Sequence, residues 1–275
     1  MTNYYYILSS LPNLSLEERP AEDILDEAMA LLKRQCDPGD LEQINWFYYR
    51  NECFNLIEYW QHLYGHIPSR PLRKPYLHQE AEFKAIDADL EILPPFLRGW
   101  YPEHKEQLAF WSPNEIENKI QSQFFAAAED LEPSFIKDYF QFEHLVRGLM
   151  ASFHQAEYGF INQELILSSE PIASALKRRP IRFSEEDRLA YPYLEKLIQA
   201  LKGKDPIHIS KAVHEVLWQF ADELASGHYY DRIALLNYVA KLFLLYRREQ
   251  LFQNQEVPHL DRLVMEALQN IESND

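Results

Sequence analysis

The segment from Ile44 to Trp60, INWFYYRNECFNLIEYW, restricts the possible folds more than any other part of the chain. It holds seven aromatic residues together with regularly spaced polar ones. On a helix, apolar side chains that recur every three or four residues form a packing seam: Trp46, Tyr49, Cys53, Leu56, Trp60 and Leu63. Asn51, Asn55, Glu58 and His62 follow the same spacing on another face. The sequence therefore predicts a long helix over residues 40–64 that packs on two sides and presents one polar stripe.

The rest of the chain also favours helices. Only 7 of the 275 residues are glycine, and 47% are hydrophobic, which argues against folds built on many tight turns. Capping residues and prolines predict further helices over residues 21–34, 112–131, 134–157, 206–226 and 230–252, with shorter ones over 171–178 and 258–271. The predicted fold class is all-α.

The charge of the chain excludes several classes of partner. With 43 acidic and 27 basic side chains, the formal net charge is −16, so we expect no binding to nucleic acid. The longest apolar run, residues 233–246, is interrupted by Asn237 and Lys241 and is too short to span a bilayer. We therefore expect no direct membrane insertion. Two cysteines and the lack of a secretory leader favour a cytoplasmic location.

The pattern of the first long helix returns twice. Residues 134–154 repeat the seam and the polar stripe, and residues 237–248 repeat them in part. The spacing of roughly 90 to 100 residues predicts three similar helical-bundle modules, over residues 1–110, 111–180 and 181–275. Unrelated amphipathic helices would give the same periodicity, and this alternative stays open.

The residues on these helices resemble a known family. YYRNECFNLIEYW is similar to the signature segment of the C-type central-stalk subunits of V-type ATPases (the d-type in eukaryotes), especially a short, divergent bacterial form. The second and third helices resemble the corresponding copies, although the third has Phe243, Leu244 and Leu245 where an acidic residue and an Asn-Leu pair are expected. The positions that carry the resemblance are Arg50, Asn51, Glu52, Asn55, Leu56, Asp138, Tyr139, Glu143, Leu145, Arg147, Tyr238 and Arg247.

The resemblance implies a mechanical function. In that family three helical modules form a funnel that joins the rotor shaft to the membrane rotor ring. It implies a non-catalytic central-stalk component that needs no cofactor. Its partners would be other V-type ATPase subunits, the shaft and the ring. The chain would be cytoplasmic and peripheral to the inner membrane through the ATPase complex.

Other functions remain alternatives. One is a generic α-helical adaptor, and another is a helical enzyme that binds a metal or small molecule through Glu58, His62 and His66. Since Gly65 is expected to end the helix before His66, we expect no metal site and no catalytic residue there. Arg50 and the amides of Asn51 and Asn55 allow two interpretations: contacts with a partner, or internal bonds to an acidic residue and to loop carbonyls.

Overall fold

The structure, a computed structural model, describes residues 4–17, 22–158, 185 and 192–253. All regular structure in these ranges is helical, so the all-α prediction is confirmed. The predicted helices over 171–178 and 258–271 lie outside the described residues. The α-helices are α1 (Tyr4–Ser10), α2 (Glu22–Gln35), α3 (Pro38–Leu63), α4 (Glu80–Phe83), α5 (Pro95–Arg98), α6 (Trp100–His104), α7 (Pro113–Glu129), α8 (Phe135–Tyr158), α9 (Leu194–Gly203), α10 (Pro206–Leu224) and α11 (Arg232–Gln253).

The helix ends follow local chemistry. α7 begins with a capping box, in which the Ser112 hydroxyl accepts the amide of Glu115 and the Glu115 carboxylate accepts the amide of Ser112. α3 has Pro38 in its first turn, where a missing N–H costs nothing. Just past its other end, Gly65 has a φ of 77°, which suits a glycine.

α3 is the central helix of the larger hydrophobic core. The ring of Phe47 lies 5.5 Å from Tyr139 on α8 and 5.5 Å from Phe243 on α11. Aromatic pairs at this separation add to the free energy of burying the rings. The seam prediction fails at the last position, because Leu63 is exposed at the helix end. Elsewhere α3 is covered more completely than two packing sides would require.

A smaller core lies where α8 meets α9 and α10. The ring of Phe142 on α8 stacks on Phe220 of α10 at 3.9 Å and lies 5.0 Å from Tyr193, the residue before α9. Leu149, Leu197 and Val216 complete this packing. α8 therefore contributes its first turns to the larger core and later positions to the smaller one.

α11 ties the end of the described chain to its beginning. It packs against α1, α3, α8 and α10. The hydroxyl of Tyr238 donates to the carbonyl of Pro12 at 2.9 Å, and the hydroxyl of Tyr246 donates to the carboxylate of Asp26 at 2.7 Å. Near the start of α11, Arg232 pairs with the buried carboxylate of Asp40 at 2.7 Å.

The larger core takes side chains from all three predicted modules. The division into modules over 1–110, 111–180 and 181–275 stays a prediction, and so does their arrangement as a funnel. Among the described helices, none combines the length and the apolar character needed to cross a membrane.

Candidate functional site

Arg50 lies in the middle of α3 with its side chain fully buried. Its Nε donates to the Glu143 carboxylate on α8 at 3.0 Å, and its Nη1 donates to the side-chain oxygen of Gln121 on α7 at 2.6 Å. A guanidinium can make such bonds in two directions because its donors are fixed in one plane. One side chain thus joins three helices.

The same carboxylate oxygen of Glu143 attracts two more guanidinium groups. Arg247 on α11 approaches it at 3.4 Å, and Arg147, one turn further along α8, at 3.8 Å. Glu143 is nearly inaccessible to solvent. We call this group the ionic junction: Arg50, Gln121, Glu143, Arg147 and Arg247.

The ionic junction holds Glu143 as a carboxylate. Burial by itself raises the pKa of Glu143, but the positive charges of Arg50, Arg247 and Arg147 outweigh it and lower the pKa to about 2. Burial lowers the pKa of Arg50, against the attraction of Glu143. Burial and the charge of Arg50 lower the pKa of Arg147, which still carries its proton at neutral pH. The junction is therefore fully ionised at pH 7.

A partly buried ring, Phe54, lies beside the junction. The guanidinium carbons of four arginines surround its centroid, at 4.3 Å for Arg50, 4.4 Å for Arg73, 5.1 Å for Arg147 and 5.6 Å for Arg247. Three of these arginines lie on three different helices, and Arg73 lies in the loop after α3. A phenyl face attracts cations at such distances.

The two asparagines of α3 bind that loop. Asn51 donates from its side chain to the carbonyls of Lys74 and Pro75, at 3.0 and 3.2 Å. Asn55 accepts the amide of Arg73 at 2.7 Å and donates to its carbonyl at 3.3 Å. Both asparagines are fully buried, so the predicted polar stripe is covered at these positions. These are the internal bonds that the sequence left as one of two interpretations.

Glu52 closes the other end of the same loop. One of its carboxylate oxygens accepts the amide of Leu77 at 2.7 Å, while the other is buried with no partner among the described residues. Burial is the main cause that raises the pKa of Glu52 to about 7, and the hydrogen bond from Leu77 opposes it. Unlike Glu143, this carboxyl is not held in the charged form at neutral pH.

The remaining predicted positions have packing roles. Leu56 is fully buried in the larger core, and Leu145 is buried in the smaller one. Tyr139 packs between Phe135 and Phe47, and burial raises the pKa of its hydroxyl. Two further positions lie away from the ionic junction: Asp138, and Tyr238 with its bond to Pro12.

The sequence analysis missed three parts of this site. It did not identify Gln121, because a glutamine on an amphipathic helix carries no special signal. It treated Phe54 as one member of an apolar strip, although Arg50 and Phe54 are four residues apart and meet on one helix face. It also gave no contact for the loop that Asn51 and Asn55 bind.

The alternative metal site is not assembled. His62 contacts the carbonyl of Ile67 at 3.2 Å, and His66 lies beyond the helix and contacts the carbonyl of Trp111 at 3.1 Å. Glu58 pairs with Arg73 at 2.6 Å. No cluster of three His, Cys, Asp or Glu side chains placed to hold a metal ion occurs within the described residues.

Comparison with known proteins corrects the family resemblance. A family model described as "Protein of unknown function (DUF2764)" matches residues 1–268. Neither a curated protein nor a solved structure matches the chain significantly. Because DUF2764 is a family distinct from the C-type stalk subunits of V-type ATPases, the prediction of membership in that stalk family is wrong. A few positions on amphipathic helices carried the resemblance, and in this chain several of them build an ionic junction and a loop attachment.

Proposed function

We propose that this chain, which belongs to the DUF2764 family, is a non-catalytic connector in the central stalk of a V-type ATPase. In this role it couples the rotor shaft to the membrane ion-translocating ring. It is cytoplasmic and is held at the inner membrane only through the complex. The observation that carries the proposal is the ionic junction, which fixes long helices from three parts of the chain to one another.

A connector that transmits force must resist deformation. The ionic junction supports this because Arg50 bonds α3 to both α7 and α8, and Arg247 brings α11 to the same carboxylate. Separating such buried charges costs about 3–5 kcal/mol, since each is left without a partner. The residues that recur on the three long helices thus act together as a brace.

A surface of exposed aromatic rings supports a protein partner. Tyr5, Tyr6, Tyr229 and Tyr230 are each more than half exposed, and the rings of Tyr5 and Tyr230 lie 4.8 Å apart. We call these four residues the tyrosine patch. Tyrosines are enriched in the energetically important parts of protein interfaces. We assign the tyrosine patch to the contact with the shaft.

A helical adaptor outside the ATPase is the second candidate. The tyrosine patch favours it equally, because exposed rings indicate a protein partner and do not identify it. In both proposals the chain acts through surfaces and has no catalytic residue or cofactor.

Co-purification with the other ATPase subunits tests the proposal. The tagged chain is mixed at micromolar concentration with the shaft and ring subunits of the same organism. We expect a complex with the shaft that weakens about tenfold or more in the Tyr6→Ser, Tyr229→Ser double variant. Phe110→Ser serves as the matched control, because Phe110 is 87% exposed and lies outside the patch.

The outcomes separate the two candidates. If no ATPase component is retained, the stalk proposal fails and the adaptor remains. If the shaft is retained equally by the double variant, the stalk proposal stands but the tyrosine patch is not its contact.

A further inference from the structure

We propose that Arg73, Arg147 and Arg247 form an oxyanion-binding site around the ring of Phe54. Its ligand is a carboxylate or phosphate group. The inference goes beyond the connector function, because it concerns a ligand of the isolated chain and depends on no other ATPase component.

Positive groups outnumber negative ones around this ring. The four arginines near Phe54 share Glu143, which contacts three of them, while Arg73 pairs with Glu58. The next carboxylate, Glu117, lies 3.9 Å from Arg147 and is 44% exposed at its side chain. A phenyl ring contributes roughly 0.5–2 kcal/mol to a nearby cation and carries no net charge. The surplus is local, since the chain as a whole has a formal charge of −16.

The guanidinium groups also have more donors than acceptors. Arg147 lies 3.8 and 3.9 Å from its two carboxylates, beyond hydrogen-bond distance, and donates to no other residue in the described part of the chain. Within the same part, the Nη2 of Arg50 and the Nε of Arg247 are buried without an acceptor. Unmade bonds of charged groups are costly in a protein interior. One further anion would supply both the charge and the acceptors.

The outer arginines are accessible to such an anion. The side chains of Arg73, Arg147 and Arg247 are 35%, 24% and 16% exposed, whereas that of Arg50 is fully buried. Phe54 is itself only partly buried. A carboxylate or phosphate matches the forked donors of a guanidinium, which bind two oxygens at once. This geometry favours oxyanions over chloride.

A thermal titration of the isolated chain tests the site. Potassium phosphate and potassium succinate are each added at constant ionic strength, with potassium chloride as the reference salt. We expect a saturable rise in Tm on the order of 3 °C with at least one oxyanion. The anion with the lower half-saturation concentration identifies the source, a free phosphate compound or a protein carboxylate.

Variants assign the effect to these arginines. Arg147→Gln and Arg73→Gln should each abolish the shift, whereas Arg34→Gln should keep it, because Arg34 is exposed on α2. Arg73 is the safer change, because its partner Glu58 lies outside the ionic junction, so this variant decides if Arg147→Gln does not fold. The proposal is overturned if neither oxyanion gives a saturable shift, or if the folded Arg73 and Arg147 variants respond like the original chain.

Discussion

Two buried glutamates in this protein have opposite charge preferences. Glu143 on α8 contacts three arginines, and its pKa is lowered to about 2. Glu52 on α3 has one backbone N–H and no arginine contact among the described residues, and its pKa is raised to about 7. Both are almost inaccessible to solvent. Burial alone therefore does not set the charge of a carboxyl, since the number of nearby cations decides it.

The two glutamates also change stability in opposite directions. The pKa of Glu143 lies below its ordinary value of 4.5, so its contribution is present above pH 4.5 and is lost as the pH falls to about 2. The pKa of Glu52 lies above that value, so its contribution is present below pH 4.5 and is lost as the pH rises to about 7. His214, whose pKa burial lowers to about 4, opposes Glu52 as the pH falls from 6.5. Single-residue variants separate these effects.

Removing the charge of Glu143 should have the largest effect. In Glu143→Gln three guanidinium groups lose their common counter-ion, and we expect the free energy of unfolding to fall by about 3–5 kcal/mol at pH 7. Urea denaturation monitored by circular dichroism measures this loss. The variant should also lack the steep loss of stability between pH 4.5 and 2.

Glu117→Gln is the matched control for this change. Glu117 lies 3.9 Å from Arg147 but is 44% exposed at its side chain, and such pairs contribute under about 1 kcal/mol. Equal losses in the two variants would show that burial of the ionic junction does not matter.

Replacing Glu52 should stabilise the protein at high pH. Glu52→Gln keeps an oxygen for the amide of Leu77 and removes a charge that burial disfavours. A displacement of the pKa from 4.5 to about 7 corresponds to roughly 3 kcal/mol at pH 8, at about 1.4 kcal/mol per unit. We therefore expect the variant to be more stable than the original chain at pH 8 by up to that amount, with little difference at pH 4.5.

Urea denaturation at both pH values gives the comparison. Glu80→Gln is the control, because Glu80 is exposed close to the same loop and should change stability little at either pH. A Glu52→Gln variant that is less stable than the original chain at pH 8 would contradict the assignment.

Loosening the loop after α3 should have a smaller effect. Asn55→Ala removes two bonds to Arg73 and leaves its buried backbone groups unpaired, so we expect a loss of about 1–3 kcal/mol. Limited proteolysis should cut the loop faster, which a stability measurement alone would not show. Glu58→Gln breaks only the partly exposed pair with Arg73 and should cost less than about 1 kcal/mol. Loop cleavage at an unchanged rate in Asn55→Ala would show that the asparagine does not hold this segment.

The helices could be predicted from the sequence because their signals are local. The capping box at Ser112 and the glycine at position 65 define helix ends within a few residues of the chain. The seam on α3 likewise follows from a spacing of three and four residues.

The candidate site could be predicted only in part. Arg50, Glu143, Arg147 and Arg247 could be singled out, but not brought together, since 93 residues separate Arg50 from Glu143 along the chain. A repeated pattern on separate helices does not state which of their faces meet. The family resemblance was wrong for a related reason, because a handful of residues on amphipathic helices matched another family's signature.

The bonds between α11 and the first forty residues have a consequence for the synthesis of this protein. Arg232 follows its partner Asp40 by 192 residues, which a ribosome needs roughly 10 to 40 seconds to translate. During that interval Phe47 and Tyr48 lack the Phe243 ring that later lies 5.5 and 5.2 Å from them. The nascent chain thus carries an uncovered aromatic helix face until its last long helix emerges, and in the cell this is a surface for chaperones to protect.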